Sequence, residues 1–391
     1  MMWNSKFKTN FSKNTNTYST MKKLTKYFVA VLSAILLTGA LSADVLKAQP
    51  ALTAVPFLQI EPDSRMASMG NTGVGFADNS HAVFWNPAGL AFQEGNEASL
   101  THANWLPNFD TDMFYDYLVG KYDVEGLGPI GAHITFFNLG EQTRTDESGN
   151  PMGTFRSYEL ATGLSYGYRL NENWALGTGL RFIYSNLTPT IEVGGQETQD
   201  GVSVGVDLST MYKSNYFNVA NRDAQFSFGA NLSNLGPHVQ YADEEQADPL
   251  PTTLRVGWSY KMDLDSQGYN TLRIANDYSK IMARRNDDQT AMNPLAALVN
   301  SWDTVTTQDD AQLTLAEQIV IGTGAEYWYD DLFALRAGYF YEDPNNGARE
   351  FISFGAGLRY SIVGVDFSYI YPLEEDHPLA DTIRLTAMVN F

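Results

Sequence analysis

From about residue 97 to the end, the chain alternates in character one residue at a time. No other feature of the sequence restricts its fold as much. In Tyr158–Tyr168 one face reads Tyr, Leu, Thr, Leu, Tyr, Tyr and the other Glu, Ala, Gly, Ser, Gly. The next segment sets Trp174, Leu176, Thr178, Leu180, Phe182 and Tyr184 against Ala175, Gly177, Gly179, Arg181 and Ile183. A period of two means strand, not helix. The pattern predicts about fourteen strands: 97–105, 112–122, 129–139, 155–169, 174–186, 201–213, 224–235, 252–262, 269–279, 317–329, 332–341, 350–360, 362–371 and 382–391. Most reach the roughly 9–11 residues that a tilted membrane strand needs, and the number is even.

The connections alternate as well. Those after odd-numbered strands are mostly long and polar, such as 140–154, 187–200, 236–251 and 280–316. Those after even-numbered strands are mostly short, such as 170–173 and 330–331. Long loops at one end and short turns at the other are the pattern of outer-membrane barrels. A soluble sandwich would place polar residues on the second face, but here that face is Gly, Ala and Ser. Aromatics gather at strand ends, as in Tyr327-Trp328-Tyr329, Tyr339-Phe340-Tyr341 and Tyr369-Ile370-Tyr371, where interfacial girdles lie. The expected fold class is therefore all-β: a transmembrane antiparallel β-barrel of about fourteen strands. Phe391 ends a last alternating strand, as the barrel-insertion signal of outer-membrane proteins does.

Ahead of the strands, Met21-Lys22-Lys23-Leu24-Thr25-Lys26 and the apolar run to Ala43 read as a signal peptide, 21–43, with cleavage after Ala43 or Ala48. Residues 1–20 read as a polar leader or an upstream start. Residues 1–43 hold six lysines and no acid, so 19 basic groups then face 45 acidic ones, a formal charge of −26. That balance excludes a phosphate-binding nucleic-acid protein. The absence of cysteine excludes a disulfide framework and thiolate chemistry.

Residues 44–96 lack the sustained alternation and are expected to form an amino-terminal hatch within the barrel 97–391. They carry Ser64-Arg65-Met66-Ala67-Ser68-Met69-Gly70 and then Trp85-Asn86-Pro87-Ala88-Gly89-Leu90. These stretches resemble the hatch of FadL-like outer-membrane transporters. With them stand the blocks Gly324–Tyr329, Phe333–Phe340, Asp366–Tyr369, Pro378–Ala380 and Arg384-Leu385. Together they resemble the PorV family of the type IX secretion system. That resemblance implies a hatch motif of Arg65, Gly70, Trp85, Asn86, Pro87 and Ala88. It implies an outer-membrane protein of Bacteroidetes-like bacteria that binds the carboxy-terminal signal domain of secreted cargo. It implies as partners the translocon barrel SprA, the cargo and a surface attachment complex. The alternative is a FadL-like transporter of hydrophobic small molecules.

No catalytic, cofactor or metal constellation emerges. The five histidines, His81, His102, His133, His238 and His377, fall in separate elements and read as solvated or locally bonded. Gly70-Asn71-Thr72-Gly73-Val74-Gly75 lacks the Lys-Ser/Thr of a phosphate loop. Acidic runs at 243–245, 287–288, 309–310 and 374–376 read as solvating loop residues, with cation bridging to lipopolysaccharide as the sharper expectation. Asn293-Pro294 opens a short loop helix that sets Leu295, Leu298 and Trp302 on one face, a candidate docking surface for cargo or a partner.

Overall fold

In the computed structural model, residues 53–391 are described apart from 110–111, 147, 189–191, 194–195, 243–246, 287–289, 307–311 and 375–376. The leader, the signal peptide and most of the acidic runs lie outside the described residues. Fourteen long strands form one antiparallel sheet: β1 (Glu97–Asn104), β2 (Phe114–Val124), β3 (Gly128–Thr145), β4 (Pro151–Arg169), β5 (Trp174–Asn186), β6 (Gly201–Lys213) and β7 (Arg222–Leu235), then β8 (Thr253–Asp263), β9 (Asn270–Ile281), β10 (Val320–Tyr329), β11 (Phe333–Tyr341), β12 (Glu350–Tyr360), β13 (Val363–Pro372) and β14 (Ile383–Asn390). Each pairs with its chain neighbours, and β14 pairs with β1, Asn390 opposite Glu97 and Arg384 opposite Ala103. The sheet is thus a closed fourteen-stranded barrel. Closure leaves no edge, as hydrocarbon requires.

The two faces separate as the alternation predicts. Leu118, Leu164, Leu180, Val204 and Leu358 project outward and are exposed, while Ser157, Ala161, Ser165, Ala175 and Ser209 point in and are buried. An outward aromatic ladder runs from His102 through Phe114, Phe136 and Tyr158 to Tyr184, with neighbouring ring centroids 5.8–6.0 Å apart. We take the long-loop end as the outer end.

One hairpin departs from the expected boundaries. β3 and β4 extend to Thr145 and back from Pro151, past the predicted ends at 139 and 155. The register shifts between Asn138 and Glu141, where Gly140 takes φ 80°. Beyond this bulge Glu141–Thr145 is exposed throughout. With no buried face there is no alternation to read.

Inside the barrel runs the chain from 53 to 96. Ala54 N–H donates to Pro249 O in the outer loop 236–252 (2.9 Å), and the segment ends at β1 beside the short turns. It carries two single-turn helices, α1 (Ser64–Ala67) and α2 (Ala82–Trp85), and a 3₁₀ turn at Pro87–Phe92. The inward glycines let its backbone touch the wall. At Gly338 a Cβ would lie 1.9 Å from Gly70 N, and at Gly177 2.1 Å from Ala88 N. Gly338→Ala is therefore expected to overpack the lumen, at a cost of about 1–3 kcal/mol. Gly120→Ala, whose nearest contact is Glu97 O at 3.5 Å, is expected to cost little. Heat-modified gel mobility in detergent checks this: equal unfolding temperatures for the two variants would refute the close-packing account.

Candidate functional site

Asp63 begins the site. Its Oδ1 accepts from Met66 N–H and caps α1, and its Oδ2 accepts from Trp85 Nε1–H, both at 2.7 Å. One carboxylate thus joins the two halves of the expected hatch motif. It also leaves Arg65 pointing at the wall. Arg65 Nε and Nη2 donate to Glu326 Oε2 and Oε1, both at 2.7 Å, and Nη1 donates to Asp78 Oδ1 at 2.6 Å.

The network continues along the inner faces of β9–β13. Arg336 Nε donates to Glu326 at 2.8 Å and its Nη1 to Asp366 at 2.8 Å. Arg359 Nη2 donates to Asp366 at 2.6 Å, and Arg273 Nη2 to Asp78 at 2.7 Å. Gly357 makes the span possible, because a Cβ there would meet Asp366 Oδ1 at 2.4 Å. Burial alone would raise the Asp78 carboxyl and lower the Arg65 guanidinium. Arg65 and Arg273 instead hold Asp78 below the usual carboxylate range, and Asp78 with Glu326 holds Arg65 above the usual guanidinium value. A cavity of about 280 Å³ lies at the short-turn end, lined by Arg65, Asp78, Lys261, Arg273, Glu326 and Asp331 among others.

The other expected motif residues also meet the wall. Gly70 takes φ 66° and donates its N–H to Ser353 Oγ at 3.0 Å. Asn86 Oδ1 accepts from Ala88 N–H, while its Nδ2 donates to Val74 O (2.9 Å) and Thr210 O on β6 (3.1 Å). Pro87 starts the 3₁₀ turn, and Ala88 packs with Ala175 and Met211. The Trp85 ring is buried and lies under the Arg255 guanidinium, 5.8 Å from its centroid.

The histidines correct one expectation. His81 and His133 are buried, not solvated, and sandwich Tyr117 at 5.8 and 5.6 Å. Both ring nitrogens of His81, Nδ1 of His133 and the Tyr117 hydroxyl have no hydrogen-bond partner. No group of three potential metal ligands occurs among the described residues.

The loop helix α3 (Pro294–Asn300) is capped by Asn293, whose side chain accepts from Leu295 N–H at 3.0 Å and Ala296 N–H at 3.4 Å. Leu295 and Trp302 are exposed and Leu298 is half-buried. Val299, absent from the predicted face, is the most exposed of the four at 74%. Phe391 lies exposed after β14, its N–H bonded to Asn96 O at 3.1 Å.

The network was only partly readable. Glu326, Arg336 and Asp366 fall in the quoted sequence blocks, yet nothing in the alternation pairs them. The available signal was charge on a face otherwise made of small residues.

The ion network generates a prediction. Removing one partner of a buried pair leaves a buried charge and costs about 3–5 kcal/mol. Arg65→Gln and Glu326→Gln should each destabilise strongly, and the double variant should be less unstable than the two effects added. Asp78 is depressed, so its contribution is present above the usual carboxylate pKa of about 4 and lost as pH falls below it. Unfolding temperatures across pH 3–7 check both points; strict additivity would remove the coupling.

No curated protein matches the sequence. Solved structures align over most of the chain at low similarity. The toluene transporter TodX of Pseudomonas putida has 14% identity, covers 85% of this chain and 98% of its own, and gives a TM-score of 0.48. The toluene transporter TbuX of Ralstonia pickettii has 14% identity, 85% and 99% coverage, and a TM-score of 0.49. A FadL homologue of Pseudomonas aeruginosa has 12% identity, 84% and 98% coverage, and a TM-score of 0.40. Values this low do not extend those proteins' substrates to this chain. The family model described as type IX secretion system protein PorV matches residues 46–287, well over half of the chain. The chain belongs to the PorV family of the type IX secretion system.

Proposed function

We propose that this outer-membrane barrel binds the carboxy-terminal signal domain of secreted cargo at its outer loops. It takes the cargo from the translocon barrel SprA and passes it to the surface attachment complex. Residues 53–96 act as a hatch that closes the lumen. The observation that carries the reading is the exposed apolar face of α3 on an outer loop, with Leu295 66%, Val299 74% and Trp302 49% exposed. Trp302 is held ready, its Nε1–H donating to Leu298 O at 2.9 Å. Ordered aromatics with an apolar surround are common anchors of protein interfaces.

A second reading, transport of hydrophobic small molecules, has one observation in its favour. An apolar hollow of about 600 Å³ lies against β1–β6, lined by Leu118, Ile134, Leu164, Leu180 and Phe182 around Gly163. The strand ladder is unbroken there, with Gly163 paired to His133 on one side and Arg181 on the other. An unbroken ladder offers no lateral exit, so the secretion reading is preferred.

The test is a pull-down of the tagged protein from mildly solubilised outer membrane. Secreted proteins sharing a carboxy-terminal β domain should co-purify. Trp302→Ala with Val299→Ser should cut that recovery about tenfold, the effect of one interface hot spot, with the barrel still folded. Normal secretion in a deletion strain, together with impaired uptake of long-chain fatty acid, would move the assignment to transport.

A further inference from the structure

Above α1, towards the outer loops, the pairing of charges changes. Arg384 faces inward on β14, with Ala103 opposite on β1 and Ser368 opposite on β13. Its side chain is 1% exposed, and none of its three guanidinium nitrogens has a hydrogen-bond partner. The hydroxyls of Ser368 and Thr382 on the same inner face are also buried without a partner. The carboxylate that approaches Arg384 is Glu61, with Oε2 3.9 Å from Nη2, too far for a hydrogen bond. The Trp105 ring covers the guanidinium, its centroid 5.5 Å away.

Arg255 on β8 is engaged elsewhere: it donates to Ser233 Oγ at 3.4 Å and lies over the Phe84 and Trp85 rings. Arg349, at the edge of an outer loop, is committed to Glu342 at 2.5 Å. Arg384 is therefore the guanidinium beside Glu61 that makes no hydrogen bond. At the inner end, Arg65 and Arg336 each meet carboxylates at 2.6–2.8 Å. Guanidinium favours a close bidentate carboxylate, and Arg384 lacks one. Its nitrogens are shut off from solvent, so no anion joins it while Glu61 and Trp105 stay in place.

The stretch bearing Glu61 is held by apolar burial of Val55, Phe57, Leu58 and Ile60 and by few hydrogen bonds to its surroundings. Ala54 N–H bonds Pro249 O, and Tyr115 O–H reaches Ile60 O at 3.5 Å. We propose that Arg384, Ser368 and Thr382 form a carboxylate-binding site in the outer half of the lumen. Glu61 is its placeholder, displaced when a peptide-borne carboxylate enters through the outer mouth. Glu61 and Asp63 nearby disfavour a dianion, which argues for carboxylate over phosphate. The peptide source rests on the cargo-binding reading above.

The test uses the full chain in detergent micelles and a fluorescent peptide ending in a free carboxylate, compared with its carboxamide. Laurate is the competing lipid carboxylate. Glu61→Gln should tighten binding of the free-acid peptide about tenfold and leave the amide unchanged. Arg384→Gln should abolish the preference for acid over amide, with heat-modified gel mobility confirming a folded barrel. Equal binding of acid and amide, or no gain in Glu61→Gln, overturns the site, and neither result depends on Arg384→Gln folding. Laurate binding that needs Arg384, without peptide binding, overturns the peptide source. Secretion lost in a deletion strain but normal in Glu61→Gln and Arg384→Gln strains sinks this inference and leaves the cargo-binding reading intact.

Discussion

Hydrocarbon supplies no partner for a backbone N–H or C=O, and the rest of the structure follows from that. Every strand must pair on both sides, so β14 returns to β1. Fourteen strands then enclose a lumen too wide for wall side chains alone to fill. Filling it with residues 53–96 raises a second difficulty: these residues are short helices and turns whose own backbone groups need partners. The wall provides them. Asp277 accepts from Gly73 and Val74 N–H, Ser209 from Ala88, Ser353 from Gly70 and Glu97 from Ser80. The inward face combines glycine, which lets backbone approach, with isolated polar side chains that bond it.

This division explains what could be read from the sequence. Strands with a lipid face and a lumen face alternate visibly, and β5, β6 and β12 run over the residues the pattern predicts. The hairpin beyond Asn138 has water on both faces, and its extension was invisible. The site lies between these cases. Arg65 and the Trp85–Ala88 stretch stand out as a motif, but their partners are scattered through β6, β7, β8 and β10. Pairing such as Arg65 with Glu326 depends on barrel register, and no local pattern encodes a contact 261 residues apart. Likewise His81 and His133 meet Tyr117 only because the inner segment and β3 pack from opposite sides.

Polar packing in the lumen is uneven. Towards the short turns, Asp78, Arg65, Glu326, Arg336, Asp366 and Arg359 form a continuous chain of close ion pairs. A buried pair of this kind adds little net stability over apolar packing, but separating it is costly. It therefore resists displacement more than it raises stability. Around Glu61 the contact is looser: Arg384 lies 3.9 Å from it and makes no hydrogen bond, and the Ser368 and Thr382 hydroxyls lack partners.

The hydrogen bonds of the inner segment are likewise unevenly spread along its length. Local opening takes place where few close interactions must break. Residues 53–62 make two described hydrogen bonds to the outer loop and β2, one of them at 3.5 Å, and are otherwise held by the buried side chains of Val55, Phe57, Leu58 and Ile60. From Asp63 onward the chain is tied by the Asp63 cap, the Arg65 clasp and the Asn86 bridge. The Glu61 side chain can therefore change partner without disturbing α1 or the close ion pairs beneath it, because neither depends on the 3.9 Å contact with Arg384.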